Sequence, residues 1–434
     1  MNINIEHKEK IWGTSLYIGS SLLETRFGDF KAYTYQDLIH KGYIIALVKG
    51  DIHSASMLYT RIHSSCVTSE TLRSMDCDCV HQLEGALEKI ANFGTGIFFY
   101  LIQEGRGCGY IGKSRACMHV QAQDDKITTF DAYSLLGMQA DYRNYNNIFE
   151  VAKLLGVEEK NYTLITNNPD KIKGLQKIGL QVQAVESIEI DPSPFNQAYL
   201  LSKQKTGHLL HYNKTKLDKY KRLQPKVDTF TPYHLRNCSR FIHCASYYIP
   251  IKPVENKMIF SKTQIEGFLQ QGIKTESIQW IDKDSALVKI NTCSLSKVEI
   301  KPYWFKVHMY YDVASSSDYV VLSYGENNTN TPFVRMHSES LFNRFPLVNK
   351  PYSEKYKRSI EKIVLNKSGF LVLLYHDGRG AGLGSYILNQ GKNFSSSGVK
   401  IDSRDYGAVA MLLEQHVKNK KIKRIKNLLK LGQE

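Results

Sequence analysis

Four blocks of this chain occur twice in the same order, and that duplication constrains the fold more than any other feature. FKAYTYQD (30–37) returns as FKVHMYYD (305–312), and YTRIHSSCVT (59–68) returns as FVRMHSESLF (333–342). GIFFYLIQEGRGCGYIG (96–112) returns as GFLVLLYHDGRGAGLGS (369–385), and DYRNY (141–145) as DSRDY (402–406). The intervals are nearly kept: Arg61 follows Phe30 by 31 residues and Arg335 follows Phe305 by 30, while Gly105 follows His63 by 42 and Gly378 follows His337 by 41. Ordered self-similarity of this kind implies two copies of one domain. We expect one copy over 1–212, a connector over 213–300 that is basic at its start, and a second copy over 301–434.

Within the first copy, strands and helices alternate. Residues 80–94 place apolar Val80, Leu83, Leu87 and Ile90 at spacings of three, four and three, an amphipathic helix that Gly94 would stop. IFFYLI (97–102) reads as a buried strand running into the glycine-rich QEGRGCGYIG, and 146–156 reads as a helix ending at Gly156. YTLIT (162–166) reads as a strand that turns through Asn167-Asn168-Pro169, where Pro169 can open the next helix. The expected fold class is α/β (mixed α+β), as two tandem domains.

Composition narrows the function classes. With 42% hydrophobic and 11% aromatic residues the chain can bury a core, which excludes a mainly disordered protein. No run approaches the ~18–20 apolar residues of a spanning helix, and the start, MNINIEHKEK, is not a secretory signal. A cytoplasmic protein without a membrane partner is expected. The net charge of +15 is mostly local: 213–226 holds six Lys/Arg and one Asp, and 418–430 holds seven Lys/Arg and no acid. A solvated linker and an exposed helix account for these runs. Without aromatic interleaving or zinc-finger spacing, nucleic acid is not an expected partner.

Three of the eight cysteines cluster as Cys66, Cys77 and Cys79. Thiolates bind zinc strongly, and three protein ligands leave the fourth tetrahedral position for a water that ionises near neutral pH. A fourth ligand, from His63, His81 or Cys117, would instead make the site structural, and on spacing alone ordinary buried cysteines also remain. Two strand-to-helix junctions suit an anion: Gln103-Glu104-Gly105-Arg106-Gly107, and Thr166-Asn167-Asn168-Pro169 with Lys171 close behind. Arg61, His63 and Ser64 directly precede the first cysteine of the cluster, and Asp141 with Arg143 puts a carboxylate and a guanidinium on one side of an extended segment.

Residues 28–212 closely resemble GTP cyclohydrolase II, the zinc enzyme that opens the purine ring at the start of riboflavin synthesis. The resemblance is carried by RIHSSCVTSETLRSMDCDC (61–79), QLEGAL (82–87), QEGRGCG (103–109), LGMQADYR (136–143), LLGV (154–157), LITNNPDKIKGLQKIGL (164–180) and KTGHLL (205–210). It implies that Cys66, Cys77 and Cys79 hold Zn²⁺, whose activated water opens the ring at C8 of guanine. It implies Arg143 as the group that attacks the α-phosphorus with loss of pyrophosphate, and Asp141 as its proton acceptor. Arg61, His63, Ser64, Gln82, Glu104, Gly105, Arg106, Thr129, Thr166 and Lys171 match the family's nucleotide-binding positions. Mg²⁺ on the triphosphate is expected as well.

Three departures stand out. The family's His-Ser-Glu-Cys reads His63-Ser64-Ser65-Cys66, its Arg-Cys-Asp-Cys reads Asp76-Cys77-Asp78-Cys79, and a usual tyrosine is Cys117. Cys117 is therefore a candidate product-determining residue: its presence fits a reaction that stops at the formamidopyrimidine, or a changed base. The second copy keeps Arg335, His337, Ser338, Glu339, Asp377, Gly378, Arg379, Asp402 and Arg404, but has Ser340 in place of Cys66 and no cysteine after it. It reads as a zinc-free half that packs on the first as an internal partner, as in the family's homodimers. A homodimer of the whole chain is a further expectation. The alternatives are ring opening of another nucleotide, as in pyrimidine catabolism, and a nucleotide-sensing pseudoenzyme.

Overall fold

The computed structural model describes residues 5–211, 240–325, 331–349, 351–374, 382–388, 404–417 and 423–424. Most of the two basic runs, and Asp377, Gly378, Arg379 and Asp402 of the second copy, lie outside the described residues. Among the described residues, no helix is long and apolar enough to cross a membrane.

Eight strands of the first half form one sheet: β1 (Ile11–Trp12), β2 (Ser15–Thr25), β3 (Gly28–Asp37), β4 (Tyr43–Lys49), β5 (Met57–Ser64), β6 (Gly96–Leu101), β7 (Asn161–Ile165) and β8 (Gln181–Glu186). Their order is β1-β2-β3-β4-β6-β5-β7-β8. Pairing is antiparallel as far as β6 and parallel from β6 through β5 and β7 to β8. The helices are α1 (Val67–Glu70), α2 (Cys79–Phe93), α3 (Gly109–Ala122), α4 (Thr129–Leu135), α5 (Asn146–Leu154), α6 (Pro169–Lys177) and α7 (Gln197–Lys205).

The period-two alternation of the central strands sorts side chains to two faces. Ile44, Ala46 and Val48 of β4, with Ile97, Phe99 and Leu101 of β6, pack against Ile148, Val151 and Ala152 of α5. Ile45, Leu47, Phe98 and Tyr100 pack on the other face against Leu83, Leu87 and Ile90 of α2. The helix read from the apolar stripe at 80–94 is α2, and Gly94 ends it in the left-handed conformation with φ 94°. Asn168 caps α6 by accepting a hydrogen bond from the Asp170 amide at 2.9 Å, with Pro169 in the first turn.

The segment read as a connector holds ordered structure. Phe241–Ile251 forms β9, and a separate small sheet follows from β10 (Lys257–Ser261), β11 (Thr275–Trp280) and β12 (Ser285–Ile290), with its own core around Met258, Phe260, Phe268 and Val288. β9 belongs to the second large sheet: it runs antiparallel to β13 (Tyr303–Asp312) from Phe241↔Asp312 to Ile251↔Tyr303. Its inward residues Ala245, Tyr247, Ile249 and Ile251 are buried, and nothing in its wording matches β2, which is why the repeat does not reveal it. With β14 (Ser317–Tyr324), β15 (Phe333–Ser338), β16 (Gly369–Leu374) and β17 (Lys423–Arg424), the order is β9-β13-β14-β16-β15-β17. These strands have the same neighbours and directions as β2-β3-β4-β6-β5-β7 of the first half.

The two halves exchange contacts reciprocally. The α3 helix lies on β9, so that Val67, Leu72 and Tyr110 share a core with Tyr247, Ile249 and Phe305. In return the helix Leu383–Leu388 lies on β2 and places Leu383 and Ile387 in the core of the first half. Backbone pairs follow the same reciprocity. Met75 N donates to Pro250 O at 2.8 Å and Lys252 N to Arg73 O at 3.0 Å, while Arg26 N donates to Pro346 O at 2.9 Å and Val348 N to Glu24 O at 3.0 Å. Phe345 of the second half sits edge-on to Tyr100, with centroids 5.1 Å apart, and is fully buried. Truncating a buried aromatic of this kind costs about 3–5 kcal/mol. Phe345→Ala is accordingly expected to destabilise the full chain by about that amount in urea unfolding, and a loss below about 1 kcal/mol contradicts the interface described here.

Candidate active site and metal centre

The parallel strands β5, β6 and β7 all end at one edge, where the chain must leave the sheet and backbone groups are free to meet a ligand. A cleft of about 360 Å³ opens there. Its walls include Arg61, His63 and Ser64 from β5, Cys66 after it, and Cys77, Cys79 and Gln82 at the start of α2. Glu104, Gly105 and Arg106 follow β6, Thr166 and Lys171 follow β7, and Thr129, Arg143 and Cys117 close the remaining side. Asp141 is the one expected site residue that does not line the cleft; it stands behind Arg143.

The three cysteines converge. Cys66 Sγ lies 3.8 Å from Cys77 Sγ, and all three sulfurs fall within 4.8 Å of one another. Zinc–thiolate bonds of about 2.3 Å at tetrahedral angles require sulfurs roughly 3.8 Å apart, so this donor set fits Zn²⁺. Hydrogen bonds from Cys77 and Cys79 and the nearby Lys113 ammonium outweigh burial and hold the Cys66 thiol well below its ordinary range, whereas Cys66 pushes Cys77 and Cys79 up. Lys113 Nζ donates to Cys66 Sγ at 3.1 Å, Thr68 Oγ1 at 2.8 Å and Glu104 Oε1 at 2.7 Å. Burial outweighs that ammonium at Glu104 and pushes its carboxyl up to about 7.

The opposite wall is cationic. Lys171 is buried with its Nζ on Ile62 O at 2.7 Å; burial, then Arg61, Arg143 and Lys203, hold it well below the usual lysine range. Burial lowers Arg61 to about 10, and burial with the charges of Lys203, Arg106, Arg143 and Lys171 lowers His208 to about 4. Such crowding of positive charge in a low-dielectric wall is relieved by an anion. Several buried polar atoms here have no partner among the described residues, including Arg61 Nε, Ser64 Oγ, Gln82 Oε1, Arg106 Nη1, Thr129 Oγ1 and His208 Nδ1. Unpaired buried donors and acceptors facing one cleft are what a polar ligand satisfies.

The loop carrying Arg143 is seated by a glycine. Gly107 has φ 86°, and a Cβ there would fall 2.9 Å from the Tyr142 carbonyl carbon and 3.1 Å from Arg143 N. Only glycine lets the two loops approach so closely; Tyr142 N then donates to Arg106 O at 2.8 Å. Arg143 Nε donates to Asp141 Oδ1 and Oδ2 at 2.9 and 3.0 Å. Burial would raise the Asp141 carboxyl, but the Arg143 guanidinium outweighs it and holds it below the usual carboxylate range, and the carboxylate in turn keeps Arg143 charged.

Other cleft residues were not assigned from the sequence. Lys113 lies one turn before Cys117, which the sequence did single out, on the same face of α3. Thr68, Lys203 and His208 also line the cleft, and Lys203 pairs with Asp78 at 2.6 Å. Glu70 carries no local signal, because its partners, His63 and Tyr100, are brought to it by the sheet. Of the departures from the family wording, Ser65 Oγ is buried without a partner, and Asp76 accepts from Ser74 Oγ at 2.8 Å.

The GTP cyclohydrolase II family model matches residues 17–188 and 294–426. The riboflavin biosynthesis protein RibBA of Endomicrobium trichonymphae is 40% identical over 189 residues, 43% of this chain and 46% of that protein. The GTP cyclohydrolase-2 of Hahella chejuensis is 40% identical over 195 residues, 45% of this chain and 92% of that protein. The GTP cyclohydrolase-2 of Shewanella sp. strain ANA-3 is 36% identical over 195 residues, 45% of this chain and 94% of that protein. The chain thus spans less than half the length of the RibBA relative and nearly all of the two GTP cyclohydrolase-2 relatives, and the family model reaches both of its halves. The chain belongs to the GTP cyclohydrolase II family.

Proposed function

We propose that this chain opens the imidazole ring of GTP by hydrolysis, with release of pyrophosphate, at a single zinc site in its first half. The supporting observation is one cleft with three convergent thiols, their sulfurs within 4.8 Å of one another, at one end and a wall of crowded, buried cations at the other. A purine triphosphate has a ring for the first and phosphates for the second. Cys66, Cys77 and Cys79 would hold the Zn²⁺, which supplies a Lewis acid and an ionisable water beside the ring.

The chain's own residues do the rest. Arg61, Lys171 and Arg143 neutralise the triphosphate, together with a Mg²⁺ carried in by the nucleotide. Ser64 Oγ, Gln82 Oε1 and Thr129 Oγ1 offer unpaired hydrogen-bonding atoms for base and ribose. Glu104 Oε1, titrating near neutrality on Lys113 Nζ, can take and return a proton beside Cys66. Asp141 fixes the Arg143 fork toward the α-phosphate. A covalent role for Arg143 requires Asp141 to take a proton from it, and the contacts that orient the guanidinium also keep it charged.

The second half, with Ser340 at the position of Cys66, acts as an internal partner rather than a second catalytic unit. The reciprocal packing of α3 on β9 and of Leu383–Leu388 on β2 supports that reading. The metabolic setting is riboflavin precursor formation, in which GTP is the starting purine.

Mass spectrometry of the zinc-loaded chain incubated with GTP and Mg²⁺ tests the proposal, with formate and pyrophosphate assayed in parallel. Ring-opened product with pyrophosphate is expected. Product that keeps its formyl group assigns the arrested step to a chain with Cys117, and Cys117→Tyr should then release formate. Cys77→Ser should lose bound zinc and all ring opening; turnover retained in that variant contradicts the metal site. The buried cations make a second expectation. Because Lys171 is held well below its ordinary range, an anionic phosphate should shift its titration back up, so that nucleotide binding takes up protons, to a limit of about one per nucleotide, at pH values between the two titrations. Calorimetry in buffers of different ionisation enthalpy reads this uptake; Lys171→Met should abolish it, and none in the parent chain overturns the assignment.

A further inference from the structure

A buried polar chain crosses from the second half to the metal site of the first. Arg344 of the second half is 5% exposed and uses all three nitrogens. Nε and Nη2 fork onto Glu339 at 2.7 and 2.8 Å, and Nη1 donates to Tyr100 Oη at 2.9 Å. Tyr100 is fully buried and donates its hydroxyl hydrogen bond to Glu70 Oε2 at 2.6 Å. Glu70 Oε1 then meets His63 Nε2 at 2.7 Å and accepts from the backbone amide of Cys66 at 3.1 Å. Three side chains, Arg344, Tyr100 and Glu70, thus connect Glu339 of the second copy to the backbone of Cys66 and to a histidine in the cleft wall.

The register of the duplication gives this chain a meaning. Arg344 lies nine residues after Arg335, as Glu70 lies nine after Arg61, so the two occupy equivalent positions in the two copies. Identical copies would bring like charges to this place. Here one carries a carboxylate and the other a guanidinium, joined through Tyr100. Glu339 and Ser65 are equivalent as well, so the carboxylate missing beside the first copy's cysteines stands in the second copy as the anchor of Arg344.

We propose that Arg344, acting through Tyr100 and Glu70, is a positioning residue for the zinc site, supplied by the half that binds no zinc. This rests on the metal reading above. By fixing Tyr100 as an acceptor toward Arg344, the guanidinium leaves its hydroxyl hydrogen for Glu70, and Glu70 then holds the Cys66 amide and the His63 ring. Groups that hydrogen-bond a metal ligand directly typically change the metal's affinity roughly 10–100-fold, and Tyr100 and Arg344 act on it one and two hydrogen bonds further out, through Glu70.

The test uses the full chain and measures zinc affinity by competition with a chromophoric chelator, alongside urea unfolding. Tyr100→Phe keeps the ring packing and removes only the hydroxyl; it should weaken zinc binding more than about threefold but by less than the roughly 10–100-fold typical of a ligand's direct partner. Arg344→Met should weaken it similarly, and the double variant no further, because both cut one chain. Glu339→Gln, which leaves the Arg344–Tyr100 bond in place, should lower stability while holding zinc affinity within about threefold. If Arg344→Met does not fold, Tyr100→Phe and Glu339→Gln carry the comparison. Zinc affinity unchanged in Tyr100→Phe, or falling in all variants only in proportion to stability, overturns the proposal while leaving the metal site intact. Absence of zinc from the parent chain overturns the metal reading and this inference together.

Discussion

The position of α3 is set from outside the half that uses it. This helix presents Lys113, Cys117 and Gln121 to the cleft and also lies on β9, the edge strand of the second sheet. An open strand edge needs partners for its backbone. Gln121 supplies them, donating from Nε2 to Tyr248 O at 2.7 Å and accepting from Tyr248 N at 2.8 Å. Lys113 in turn ties Cys66, Thr68 and Glu104 into one cluster. The second sheet therefore forms the floor on which the first half's chemistry rests, and removing it would strip α3 of its apolar and polar partners at once.

Duplication inside one chain allows what a symmetric pair of identical subunits does not. Each position occurs twice and can be specialised separately. The first copy keeps its cysteines, and the second replaces the equivalent of Cys66 by Ser340. Glu70 and Arg344, equivalent in register, carry opposite charges and are joined through Tyr100. A buried ion pair such as Arg344–Glu339 contributes little net stability once desolvation is counted, but it fixes geometry and opposes wrong pairing. The small sheet β10-β12-β11, inserted between β9 and β13, has a core of its own and interrupts neither the large sheet nor the contact with the first half.

Much of the architecture was legible because strands and helices with strong period leave clear patterns. The stripe Val80–Leu83–Leu87–Ile90 marked α2, the uninterrupted apolar run at 97–102 marked β6, and Asn168-Pro169 marked the start of α6. The clustering of Cys66, Cys77 and Cys79 was visible for the same reason, since the three cysteines are close in sequence. What stayed hidden was non-local. β9 has His243, Cys244 and Ser246 breaking its alternation, and only its pairing with β13 shows it to be part of the sheet. Lys113 meets Cys66 across 47 residues and Arg344 meets Tyr100 across 244, contacts no local pattern encodes. Asp141, read as a cleft residue, acts from behind Arg143 because their short spacing folds the carboxylate onto the guanidinium.

The central claim is asymmetry: one metal and one nucleotide site in a chain that contains the domain twice. Metal analysis of the purified full chain, combined with equilibrium binding of a non-hydrolysable GTP analogue, tests it most directly. One zinc and one nucleotide per chain are expected, the zinc lost when Cys77 is replaced by serine and the nucleotide lost when Arg61 and Lys171 are replaced by methionine. Two nucleotides per chain, or a nucleotide retained at full affinity by a chain whose first-half cleft is disabled by Arg61→Met and Lys171→Met, would contradict it.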